Sequence, residues 1–160
     1  MFRIALILLA TVAIVSGGIS RDDDAKPLSK EQLAELLGTD SPSLLIWTKT
    51  TGADFYVYHG EPQPPLSGVV HIYVGCCPPF VADASLPTLD GRLGSYSVKW
   101  QKKVLADASL QFETVTALHS DLWKAHIVVK AKSQYDADRV FEEISRLRMF
   151  TQMPTIPGTP

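Results

Sequence analysis

The residues of this chain with the least ordinary chemistry are Cys76 and Cys77, its only cysteines, which stand side by side. Thiols of an exported protein tend to oxidise, but adjacent Cα atoms lie about 3.8 Å apart, below the roughly 4.4 to 6.8 Å that an unstrained disulfide spans. A bridge between them would be strained and easily reduced, which suits a redox pair or a rigid turn with a sulfur surface. The simpler reading is two small buried thiols, or a structural bridge, without turnover. Pro78 holds Cys77 extended, and with Pro79 it stiffens the corner. The C-x-x-C spacing of a thioredoxin-type site is absent.

A soft metal is the second chemistry these residue types allow. His71 precedes the cysteines on what reads as one strand, and Met149 and Met153 are spaced like a soft-ligand pair. Thiolate, imidazole and thioether together would favour copper(I). The spacing matches no established site, and a histidine on a strand that is apolar on both faces reads as a satisfied core residue, so no metal ligand is assigned. His119-Ser120-Asp121 has the residue types of a hydrolytic relay, but three consecutive residues point in different directions and read as a turn. Neither G-x-S-x-G nor H-E-x-x-H occurs. The sequence therefore implies no catalytic residue and no cofactor. His59, beside a proline-rich loop, is expected at the solvent. Trp47, Tyr56, Tyr58, Tyr73, Tyr96, Trp100 and Trp123 fall mostly on strands. Most of them read as core, and any left outside would suit a saccharide or another protein.

The elements that must position these side chains are legible from period and punctuation. Ser29 can cap a helix with Gln32 as the return partner of a capping box, Leu33, Leu36 and Leu37 form its apolar face, and Gly38 supplies a left-handed stop. Strands are expected at Leu44–Trp47, Phe55–Tyr58, Val69–Val74, Tyr96–Gln101, Leu110–Leu118 and Trp123–Lys130. Turns are expected at Thr50–Ala53 and Ala106–Ser109, with Asp107 as the turn former. The stretch Cys76–Gly94 lacks a sustained period and reads as a long surface loop. A second helix begins at the Ser133 cap, with Ala137, Val140, Phe141, Ile144 and Leu147 apolar. The fold class is α+β, a mainly antiparallel sheet of about six strands with an N-terminal and a C-terminal helix packed on one face.

Met1-Phe2-Arg3, an apolar run from Ile4 to Val15 and Ser16-Gly17-Gly18 have the layout of a secretory signal peptide spanning residues 1–18. The run is about a dozen residues where a spanning helix needs roughly 20, and Asp22-Asp23-Asp24 suits a segment that is translocated. Export to a periplasm, a cell envelope or the medium is expected. The alternative is a tether through an uncleaved signal-anchor. No membrane span is expected after cleavage. A linker at 19–28, one domain at 29–150 and a proline-rich flexible tail at 151–160 complete the organisation. The formal net charge is −2, and no basic block exceeds Lys102-Lys103, so nucleic acid is not expected as a partner.

The element order, from an exported start through a strand ending in Val74-Gly75 to a last strand followed by Asp136-Ala137-Asp138-Arg139-Val140-Phe141, resembles that of exosortase-associated exported proteins over the last two-thirds of the chain. The resemblance implies a role in a cell-envelope polysaccharide system. Alternation along the strands assigns Tyr96, Val98, Trp100, Trp123, Ala125, Ile127 and Val129 to the core, and leaves Lys99, Gln101, Lys124, His126 and Lys130 outward. The expected function is a non-enzymatic binding or assembly module of a bacterial envelope. Its expected partner is another envelope protein or an acidic polysaccharide, met by the face carrying Lys99, Lys124, His126 and Lys130 or by the Cys76–Gly94 loop. A redox or soft-metal protein centred on Cys76 and Cys77, and an accessory protein of an exopolysaccharide or exosortase system, are the alternatives.

Overall fold

The computed structural model describes residues 26–78, 80–118 and 122–151. The expected signal peptide at 1–18, residues 19–25 of the linker, Pro79, the His119–Asp121 turn, Met153 and the tail past Thr151 lie outside the described residues. Helix α1 runs Lys30–Leu37, with Ser29 and Gln32 closing the capping box and Gly38 at φ +69° ending it. Leu28 donates its N–H to the Trp47 carbonyl at 2.8 Å, and Pro27 bridges Thr48, so the end of the expected linker is already paired to the sheet.

Seven strands follow: β1 Leu45–Thr51, β2 Phe55–Pro62, β3 Val69–Gly75, β4 Thr88–Leu93, β5 Tyr96–Val104, β6 Leu110–Leu118 and β7 Trp123–Ala131. They form one sheet in the order β1-β2-β3-β7-β6-β5-β4, and every neighbouring pair is antiparallel. The architecture is two meanders, β1–β3 and β4–β7, joined where β3 pairs β7. The expected count of about six strands is corrected to seven, because Thr88–Leu93 is a strand inside the stretch read as loop. Its sequence, Thr-Leu-Asp-Gly-Arg-Leu, hides it. A glycine and two charged residues break the alternation, and on an edge strand nothing requires the solvent side to be apolar.

Helix α2, Gln134–Ser145, starts at the Ser133 cap, and a further turn, α3, spans Arg148–Thr151. Leu36 and Leu37 of α1, Val140 and Ile144 of α2 and Phe150 of α3 join Trp47, Ile72, Phe112 and Ile127 of the sheet in one buried cluster. The Phe141 ring meets Trp100 and Phe112 at 4.8 and 5.1 Å between centroids. Helical residues also tie the two edges of the twisted sheet. Glu143 of α2 accepts from the Ser43 hydroxyl and, at 3.3 Å, from the Leu44 N–H just before β1. The Phe150 carbonyl accepts from Ser95 N–H at 2.9 Å at the β4–β5 turn. Gly94 sits there at φ +56°, and a Cβ would stand 2.3 Å from the Phe150 oxygen, so conformation and space both require glycine.

Candidate functional site

Strand register sorts the side chains into two sets. Val70, Ile72 and Val74 of β3 face the same way as Ala125, Ile127 and Val129 of β7, and all six are buried. The intervening positions, His71 and Tyr73 on β3, Lys124, His126, Val128 and Lys130 on β7, Glu113 on β6 and Lys99 and Gln101 on β5, form the outward set, in agreement with the alternation of the sequence.

The chain crosses this outward face between β3 and β4. To reach the far edge it passes β7, β6 and β5, a distance of about 19 Å at four inter-strand spacings. Residues 76–87 make the passage, so the loop is shorter than the stretch to Gly94 read from the sequence. Phe80 lies over His126 with ring centroids 5.3 Å apart. Further on, Asp83 N–H donates to Gln101 Oε1 at 3.1 Å and Gln101 Nε2 donates to the Asp83 carbonyl at 2.8 Å. His126 is therefore roofed over, buried, and bonded through Nε2 to Glu113 Oε1 at 2.7 Å. Lys99 is held in an exposed pair with Asp90 at 2.9 Å. Of the other candidate binding residues, Lys130 is exposed and Lys124 is half-buried.

Cys76 and Cys77 open the crossover, and both are exposed rather than buried. Cys76 Sγ donates toward Cys77 Sγ at 2.8 Å, with Asp54 Oδ2 at 4.0 Å. The bond to Cys77, with partial desolvation and the negative charge of Asp54, holds the Cys76 thiol above its ordinary range. A raised thiol is a poor nucleophile at neutral pH, so Cys76 is not set up to attack. The pair can close to a disulfide only by passing two electrons and two protons to an oxidant. The copper(I) set considered from the sequence is not assembled: His71 turns to another histidine, and Met149 borders a cleft beside α1.

That histidine is His59. It lies within β2 rather than at a solvent-exposed border, directly opposite His71. The rings face each other with Nδ1 to Nδ1 at 3.1 Å, and His59 Nε2 reaches Glu61 Oε1 at 3.1 Å. His71 is exposed and is not the core histidine expected from its strand. Its pKa lies below the ordinary value, through partial desolvation first and then the charges of His59 and Lys130. The pairing was hidden because it depends on the β2–β3 register, which a loop of Gln63 to Gly68 does not dictate.

On the opposite side, Lys49 places Nζ over the rings of Tyr56 and Tyr58, 4.8 and 5.3 Å from their centroids. Tyr56 meets Tyr58 edge-on at 5.4 Å and Trp123 at 6.2 Å, and Trp123, at the start of its strand, is 42% exposed and not the core residue that alternation predicts. These tyrosines line a cleft of about 490 Å³ with Gln32 and Glu35 of α1 and Arg148 of α3. Burial raises both phenols, with Tyr58 as the second cause for Tyr56 and Glu35 as the second cause for Tyr58. Among the described residues no group of three or more His, Cys, Asp or Glu side chains is arranged to hold a metal, and no helix is long and apolar enough to cross a membrane. No family model, curated protein or solved structure matches this chain.

Proposed function

We propose that this protein is a non-enzymatic binding module that works outside the cytoplasm, in a bacterial envelope or periplasm, and that its ligand is an acidic polysaccharide. The observation that carries this reading is the ammonium of Lys49 over two tyrosine rings that line the cleft with it. Tyrosine and tryptophan faces stack on the C–H surfaces of sugar rings while their polar ends stay hydrated. Lys49 and Arg148 outnumber the single carboxylate of Glu35 there, which favours a uronate-bearing sugar over a neutral one. In this reading both longer helices lie on the sheet face that carries Trp47, Tyr58 and Trp100, and the cleft opens at their margin. An accessory role in an exopolysaccharide or exosortase system accords with such a ligand. The lysine face is the second surface, weakened as a site by the Lys99–Asp90 pair and by the crossover that covers His126.

Binding of a soluble polyuronate, followed by calorimetry, separates the surfaces. Tyr56→Ala and Tyr58→Ala should each weaken binding by about 3- to 10-fold, the worth of one aromatic contact. Charge reversal at Lys99, Lys124 and Lys130 together, and Cys76→Ala/Cys77→Ala, should leave it unchanged. If the triple reversal abolishes binding and the tyrosine variants do not, the ligand meets the lysine face. Loss of binding in the cysteine variant with unchanged stability would return the function to the thiol pair, and no binding by the parent would reject the polysaccharide.

A further inference from the structure

The crossover runs over β7, β6 and β5, and on the β2–β3 part of the same face half-buried His59 and exposed His71 stand with their Nδ1 atoms 3.1 Å apart. We propose that these two histidines chelate a single transition-metal dication of the copper(II), nickel(II) and zinc(II) class, with Glu61 as the outer-shell carboxylate. Two nitrogens bound to one such ion at 2.0–2.1 Å lie about 2.9 Å apart for a right angle and about 3.4 Å apart for a tetrahedral one. The observed separation falls between these limits and matches the bite of one ion, reached by turning each Nδ1 lone pair from the facing nitrogen toward the metal. The pair is held across neighbouring strands at a fixed register, which makes the bite a property of the sheet.

The hydrogen bonds fit the same chemistry. A metal-binding histidine commonly donates its second ring N–H to a carboxylate, which fixes the tautomer and strengthens the ligand. Donation from His59 Nε2 to Glu61 Oε1 leaves the lone pair of His59 on Nδ1, directed at His71. With both rings neutral, one proton bridges the two Nδ1 atoms and belongs to His71. The metal takes the place of that proton, which moves to Nε2 of His71, so two N–metal bonds form and no proton leaves the pair. Imidazole pairs suit copper, nickel and zinc, and copper(II) should bind most tightly of the three. Two protein ligands leave the remaining positions to water, so the site is open. Lys130, whose charge is felt at His71, opposes a bound dication, and Glu61 favours it. This proposal uses none of the cleft residues, and stands or falls apart from the polysaccharide reading.

The test is titration of the purified protein with copper(II) and with zinc(II), by calorimetry and by the copper electron-spin signal, in a Cys76→Ser/Cys77→Ser background that removes the thiols. The parent should bind one ion with a spectrum of two imidazole nitrogens. His59→Ala and His71→Ala should each abolish that spectrum, Glu61→Gln should weaken binding by about 10-fold or more, and Lys130→Ala should strengthen it. His126→Ala, at the buried histidine, should change nothing. Near-ultraviolet circular dichroism checks that each variant is folded, and the exposed position of His71 leaves that fold little to lose. Unchanged copper binding in the folded His59→Ala/His71→Ala variant, its loss in His126→Ala, or no imidazole-coordinated copper in the parent would overturn the site.

Discussion

At the scale of residues, the outward face is a set of histidines in different surroundings. Partial desolvation first, and then the neighbouring imidazole of His59 and the charge of Lys130, hold the pKa of His71 below the ordinary histidine value. The sign for stability follows from linkage. The unfolded chain, titrating near 6.5, binds the proton more strongly than the folded one, so this contribution is fully present above that pH and is lost as the pH falls toward the folded value. Lys130→Ala removes one of the causes and should move the His71 titration to higher pH in an NMR experiment, and with it reduce the loss of stability on the acid side. A shift to lower pH would mean that Lys130 does not act on His71 through its charge.

At the scale of elements, α2 carries a residue whose part is invisible in its own helix. Glu143 lies on the buried stripe with Val140 and Ile144, and its carboxyl accepts from Ser43 Oγ, Leu44 N–H and, at 3.3 Å, Arg146 Nη1. Ser43 Oγ in turn accepts from Trp47 Nε1 at 3.1 Å and Leu45 N–H at 3.0 Å, so one acidic side chain anchors the start of β1 through a hydroxyl. Glu143→Ala strands these donors in a buried place and should cost about 3 kcal/mol in a denaturant melt. Glu142→Ala, one residue away at an exposed pair with Arg139, should cost no more than about 1 kcal/mol. Equal losses would show that the Glu143 network is not what fixes the helix to the strand.

At the scale of the whole molecule, a sheet with all its neighbouring strands antiparallel still contains one long jump, from β3 at the middle to β4 at the edge. The chain makes it across the outward face, and Phe80 and Asp83 pin it by the ring of His126 and the amide of Gln101. Among the described residues the crossover is further held where the Pro87 carbonyl accepts from Lys102 N–H at 3.1 Å, and segments with few buried contacts open first. Phe80→Ala should therefore raise amide exchange within the crossover while leaving β3 and β7 protected. Exchange that rises equally in the central strands would mean that the loop is part of the cooperative core rather than a strap laid upon it.

The local elements were written in the sequence because their signals act over a few residues. Ser29, Gln32 and Gly38 bounded α1, Ser133 opened α2, and the period-two runs around Ile72, Trp100 and Ile127 gave the strands their buried sides. Asp107 built its turn as expected, its carboxylate accepting from Ser109 N–H at 3.0 Å. What depends on which strands become neighbours was not written there. The His59–His71 pair exists through the β2–β3 register, the cleft residues come from α1, β1, β2 and α3, and His126 lost its solvent to a loop whose route no local period records. Hydrophobic pattern fixes which way a side chain points, since that follows from backbone geometry within its own strand. The side chain it meets is decided only when the sheet closes, because contacts distant in sequence are chosen by the packing of the whole core.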